Sequence, residues 1–166
     1  MSKRNVDSSY FKSAVFGFED GLVSTTGIVA GLSAGSHDPK LVLMGGLVAM
    51  GVEAVSMGAG EFISERGVHA MRGNRHTDSP TTSGLVMSFS FVVAGFIPLA
   101  PIMLLKFPHS VLVSLALALV ALFCLGIAKT RVVNAKGYLR SAIETLVIGG
   151  VATLIGFLVG FFLKLS

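Results

Sequence analysis

Apolar residues gather into five long blocks, about 13–35, 41–64, 84–105, 110–129 and 141–163, joined by short polar connections. Each block supplies the roughly 20 mostly apolar residues that a helix needs to cross the hydrocarbon core of a bilayer. The pattern therefore predicts an all-α polytopic membrane protein with five transmembrane helices. In the third block, Pro98 and Pro101 predict a kink or the end of the helix, because proline removes a backbone donor and clashes one turn back. Residues 1–12 are polar, and the first block leads into the second without the short apolar region and small-residue cleavage site of a signal peptide. It is expected to be a retained span. Residues 1–166 then form a single membrane domain with no soluble domain and no solenoid-like repeat. The longest connection, 65–83, contains His69, Arg72, Arg75, His76 and Asp78. It reads as a solvated connector, since no spacing there matches a metal-ligand motif.

Composition agrees with a membrane chain. Of the residues, 52% are hydrophobic and 13% charged, and the mean hydropathy is +0.79, whereas a soluble domain has roughly 25% charged residues. A net charge of +4 raises the question of nucleic acid, and the placement of the basic residues answers it. Lys3, Arg4, Lys12, Arg66, Arg72, Arg75, Lys129, Arg131, Lys136 and Arg140 fall on one side of the five-span arrangement, with Lys40, Lys106 and Lys164 on the other. Cytoplasmic connections are rich in Lys and Arg. The N-terminus is thus expected in the cytoplasm and the C-terminus outside, with no nucleic-acid partner. The lone Cys124 lies in an apolar run, excludes a disulfide framework, and reads as a packed apolar residue.

Gly27, Gly31 and Gly35 recur every fourth residue, a spacing that lets helix backbones approach closely in lipid. Asp20 and Ser24 share that stripe, and Ala152, Gly156 and Gly160 make a similar one in the fifth block. Such stripes serve packing within one chain or contact between copies. Five helices enclose little volume, so a polar pathway is easier to build between two copies, and a homodimer is expected.

The second block carries chemistry. Stepping about 100° per residue from Glu53, Met57 falls at about 40°, Met50 at about 60° and Glu61 at about 80°, all within one arc. A charged group at the bilayer centre costs roughly 2.5–3.5 kcal/mol, so Glu53 should face a cavity or a cation. No Lys or Arg lies inside any span to balance Glu19, Asp20, Glu53 and Glu61. These acids are expected to await a mobile cation, the alternative being that Glu19, Asp20 and Glu61 reach headgroup water from helix ends. Thioethers added to carboxylates favour Fe²⁺, Mn²⁺ or Co²⁺ over Mg²⁺ and Ca²⁺, although methionine also fills apolar gaps. His37, His69, His76 and His109 map to connections, which argues against an imidazole-rich zinc site, and HExxH is absent, so no enzyme is expected. Metal must compete with protons for carboxylates, which suggests exchange of metal for protons. The rival from another class is a structural subunit whose acids dock on basic helices of a partner.

Three stretches, EDGLVSTTGIVAGLSAG (19–35), EAVSMGAGEFIS (53–64) and LRSAIETLVIGGVATLIGFLVG (139–160), resemble the vacuolar iron transporter family. The resemblance covers nearly the whole chain. It implies a five-span homodimer and proton-coupled export of Fe²⁺, or of Mn²⁺ or Co²⁺, from the cytoplasm along a path lined by span one. It also implies that Asp20 and Met57 are site residues, with no resident cofactor. A manganese-selective transporter of the same type is the alternative. Implied membranes are vacuolar-type in a eukaryote and the plasma membrane in a prokaryote. Two departures stand out. Residues 65–83 are too short for the Glu-rich capture domain of larger members, and Ala49 replaces an acidic residue of plant-type members, for which Glu53 would substitute. Glu144 matches the ETL of the span-five motif, where a helix-dipole role and a transport role both remain open.

Overall fold

The computed structural model describes residues 3–72, 78–132 and 137–163. They form five helices: α1 (Lys3–Gly35), α2 (Pro39–Arg72), α3 (Pro80–Leu104), α4 (His109–Val132) and α5 (Tyr138–Phe162). α2 over Pro39–Met71 and all of α3, α4 and α5 are long and apolar enough to cross a membrane. α1, at 33 residues, has the length for a crossing, about 50 Å, but its acids, hydroxyls and glycines keep it below the apolarity of the other four. The architecture is an all-helical bundle of the integral membrane type. Large side chains such as Val48, Val52, Phe89, Leu112, Val147 and Phe162 cover its outside, a surface suited to lipid rather than water.

The least apolar helix is the central one. α1 touches all four others, whereas α2 packs on α1 and α3 alone, and α5 on α1 and α4 alone. Leu22, Thr25, Thr26 and Val29 of α1 are fully buried. Gly17 and Gly21 press on the backbones of Met87 and Phe91, so α1 and α3 run parallel, and Gly27, Gly31 and Gly35 meet Ala152, Gly156 and Gly160, so α5 runs parallel too. α2 and α4 run the other way, the former shown by the Ser13–Glu61 and Ser9–Glu65 contacts. In α4 the buried residues Ser110, Ser114, Ala118, Leu122, Gly126 and Thr130 repeat every fourth position, one narrow stripe with lipid-facing residues on the rest. Buried hydroxyls of Thr26 and Thr130 donate to their own helix, to the carbonyls of Leu22 and Gly126.

The glycine stripe of span one meets the matching stripe of α5 within the chain, and Gly27, Gly31 and Gly35 also line an open groove beside that contact. Several expectations need correction. α2 continues past residue 64 to Arg72, so much of the supposed 65–83 connector is helix, with Glu65 and Asp78 buried. Arg75, His76, Lys136 and Lys164 lie outside the described residues. His69 sits in α2 and His109 opens α4, so only His37 of the described histidines is in a connection. α3 neither stops at Pro98 nor at Pro101 but continues to Leu104, and the Pro98 carbonyl accepts a hydrogen bond from Ser114. α3 starts where sequence chemistry favours it, with Ser79 capping Thr82 and proline at the first helical position. Gly137, at φ 99, makes the left-handed turn into α5. Cys124 is exposed on the outer face of α4 rather than packed.

The close approach of α1 and α5 gives the first prediction. A Cβ at position 31 would stand 2.7 Å from the carbonyl oxygen of Gly156, with rigid backbone on both sides. Gly31→Val should cost about 1–3 kcal/mol and lower the thermal unfolding midpoint in detergent. Gly150→Ala, where a Cβ meets nothing within 4 Å, should leave it unchanged.

Candidate functional site

The predicted polar residues of α2 do face the protein, and they meet α1 along a single antiparallel seam. At one end Ser9 Oγ donates to Glu65 Oε1 at 3.4 Å. One turn on, Ser13 Oγ stands 2.6 Å from Glu61 Oε1 and 3.1 Å from the Ser9 carbonyl. A hydroxyl has one proton to give, and the shorter, charge-assisted contact to the carboxylate takes it. Both carboxylates are only 8% exposed. The same register brings Met57 level with Gly17, and Asp20 level with Glu53. Beyond them, a Cβ at Gly95 would touch both Met50 Sδ (2.7 Å) and Thr25 Oγ1 (2.9 Å), which marks those two as neighbours. Hydroxyls of Ser24 and Thr25 are buried without a hydrogen-bond partner among the described residues.

Each predicted ligand has its own environment. Asp20 is half-buried, and the charges acting on it come from Glu53 and Glu19. Among the described residues neither Asp20 nor Glu53 takes part in an ion pair. Met57 is half-buried and packs on the edge of an apolar cluster. Met50 lies inside that cluster, with Val29, Val42, Phe91 and Leu99, as a core side chain. Glu61 is satisfied by Ser13. Five of the six predicted ligands, Asp20, Met50, Glu53, Met57 and Glu61, are strung along the seam rather than gathered, Glu19 lies apart from it, and among the described residues no three His, Cys, Asp or Glu converge as a metal-holding group.

Glu19 departs from expectation. It points to the other side of α1, where Lys129 Nζ of α4 donates to Glu19 Oε2 at 3.0 Å. The reading that no basic group balances the acids fails here, because Lys129 was placed in a connection by its backbone, while its four-carbon stem carries the ammonium inward. Glu65 was missed because span two was ended at 64. Its signal was the four-residue step from Glu61, repeated by Ser9 and Ser13. Glu144 pairs with Arg140 one turn away at 2.8 Å, both largely exposed, a contact of small energetic weight.

The two larger cavities described along α1 differ in character. A groove of about 730 Å³ opens between α5 and the start of α2, lined by Ser24, Gly27, Gly31, Gly45, Ile155 and Gly156 and almost wholly apolar. A second, also about 730 Å³, lies between α1, α4 and α5, with Lys12, Glu19, Lys129, Arg140 and Glu144 on its wall.

A bundle of apolar helices wrapped around a helix that carries Glu19 and Asp20 defines an integral membrane protein with a polar seam between two of its helices. The chain belongs to the VIT family, which it matches over residues 11–75 and 65–161, and the resemblance of its three motifs holds. It is 29% identical over 109 residues to Vacuolar iron transporter homolog 2 of Oryza sativa subsp. japonica, covering 55% of this chain and 58% of that one. It is 42% identical over 57 residues to Vacuolar iron transporter homolog 2 of Arabidopsis thaliana, 34% of this chain and 29% of the relative. With Vacuolar iron transporter homolog 4 of Arabidopsis thaliana the identity is 26% over 155 residues, 86% and 78% of the two chains. The match thus spans less than two thirds of the first two relatives' length.

The seam yields the second prediction. Ser13→Ala removes the donor to a buried carboxylate and should cost about 1–3 kcal/mol in detergent unfolding. Ser9→Ala, whose bond is longer and less buried, should cost clearly less.

Proposed function

We propose that the protein moves divalent transition-metal ions, Fe²⁺ first and Mn²⁺ or Co²⁺ with it, out of the cytoplasm in exchange for protons. Asp20, Glu53 and Met57 act as the ligands of the moving ion, and Glu61 and Glu65 receive it at the end of the seam. The observation that carries this reading is that Asp20 and Glu53 act on each other across the α1–α2 seam, with no cationic side chain among the described residues paired to either. Two carboxylates without a fixed counter-charge leave a divalent ion as the natural partner. Family membership and the relatives' names supply the iron. A structural subunit docked on basic helices finds no comparable support, because Asp20 and Glu53 lie on the side of α1 that α2 covers.

In this proposal all five helices cross the bilayer, and the N-terminus is cytoplasmic because the end of the bundle that holds it also gathers Lys12, Arg66, Lys129, Arg131 and Arg140. The membrane is vacuolar-type in a eukaryotic cell and the plasma membrane in a prokaryotic one. Two copies assemble over the apolar groove beside α5, a face of the right character for burial.

Coupling to protons follows from the ligands. A carboxylate released by its metal takes up a proton more readily than one that holds it, so each ion carried outward leaves sites that return with protons.

The test is flux into proteoliposomes. Fe²⁺ and Mn²⁺ uptake should follow an imposed pH gradient and move protons the other way, with Co²⁺, Zn²⁺ and Mg²⁺ setting the selectivity order. Asp20→Ala should abolish uptake, and Met57→Ala should reduce it by about tenfold, the loss expected for a stabilising contact of about 1.4 kcal/mol. Flux that is unchanged in Asp20→Ala would sink the proposal.

A further inference from the structure

Among the described residues, Lys129 is the cation that pairs with the acidic pair on α1. Its ammonium lies 3.0 Å from Glu19, and the two side chains are 27% and 21% exposed, a partly dehydrated contact rather than a surface one. Glu19 and Asp20 are adjacent in sequence, and about 100° separates them around the helix. One carboxylate therefore faces α4 and the cavity beside it, while the other faces α2 and Glu53. The backbone keeps them close enough to feel each other's charge.

From this geometry we infer that Lys129 is a positioning residue for the ion path: it holds Glu19 away from the ligand set and cancels its charge. The inference rests on the reading of Asp20 and Glu53 as metal ligands. With Lys129 engaged, those two carboxylates present two negative charges to a divalent ion. Without it, Glu19 adds a third at the neighbouring position. A site that transports must bind firmly enough to be entered and weakly enough to be left. Lys129 keeps the site on the weak side of that balance. The same pair also ties α4 to α1, so a purely structural role predicts a loss of stability and no systematic change in metal affinity.

The two roles separate in a set of variants of the whole protein in detergent, with Mn²⁺ as the probe. A unit charge acts on a divalent ion with twice its energy on a single charge, and over roughly 10 Å at a partly exposed site, with an effective dielectric between about 20 and 80, this is worth on the order of tenfold or more in binding. Lys129→Met should tighten Mn²⁺ binding by about tenfold and slow turnover in proteoliposomes, because release becomes harder. Lys129→Arg should restore both. Glu19→Gln has the opposite sign: it leaves the ammonium unbalanced beside Asp20, and Mn²⁺ should bind about tenfold more weakly. This variant keeps the test alive if Lys129→Met does not fold. The double variant Glu19→Gln with Lys129→Met should return to the unmodified affinity. If the single variants shift only the unfolding midpoint, or shift affinity in the same direction, the inference is overturned while the transporter reading stands. Unmodified protein that neither binds nor moves Mn²⁺ or Fe²⁺ would instead overturn the transporter reading, and the inference would fall with it.

Discussion

Everything in this bundle depends on how α1 is kept out of lipid. A helix with Glu19, Asp20 and a succession of serines and threonines would be costly to expose to hydrocarbon, and helices in a membrane gain no hydrophobic drive from meeting one another. Close backbone packing supplies the attraction instead. Gly17 and Gly21 seat α1 on the backbone of α3, and Gly27, Gly31 and Gly35 seat it on α5. Residues without side chains at those five positions let two neighbours approach to van der Waals contact at the backbone, which is how one polar helix comes to touch four apolar ones. The polarity of α1 is tolerated because the glycines have made it the core.

That placement decides where the acids go. α1 and α2 are antiparallel, and polar groups one or two turns apart on each stay in step: Ser9 with Glu65, Ser13 with Glu61, then Asp20 with Glu53. Between the two pairs held by serine and the pair Asp20 and Glu53 further along, the seam changes character, from acids satisfied by hydroxyls to acids with no ion pair among the described residues. On the opposite side of α1 the single step from Asp20 to Glu19 crosses to α4, where Lys129 waits. One helix thus separates a neutralised carboxylate from an open one.

Much of this was legible in the sequence. Length and apolarity gave the five helices to within a few residues at most ends, and the angular arithmetic on α2 put Met50, Glu53, Met57 and Glu61 on the face that meets the protein. The motifs gave the family. What stayed hidden was partnership. The spacing of Gly27, Gly31 and Gly35 says that a backbone comes close, but not whose, and α5 answered with its own small residues. Met50 and Met57 share an arc, yet the first is buried among Phe91 and Leu99 and the second lies at the edge of that cluster. Lys129 was read by its backbone position near the end of a span, although a lysine acts from its ammonium, several ångströms away. Cys124 on a lipid-facing surface shows the converse error, since apolar neighbours in a membrane chain do not imply burial.

The scattering of the ligands along the seam is itself informative. A structural metal site draws its donors into one closed shell, and such convergence is absent among the described residues. An ion in transit needs something different: donors in sequence, each able to release what the one before has passed on. Glu61 and Glu53 are two turns apart on α2, about 12 Å along the axis, with the Met57 thioether midway between them. Carboxylate, thioether, carboxylate at single-turn intervals is a spacing over which an ion exchanges one ligand for the next without losing all of them at once. The soft donor in the middle favours ions that accept sulfur, which Mg²⁺ and Ca²⁺ do not. Under the proposed function, selectivity would reside in the order of donors along α2 more than in any one of them, and weak individual sites, with Glu19 held apart by Lys129, are what conduction would require.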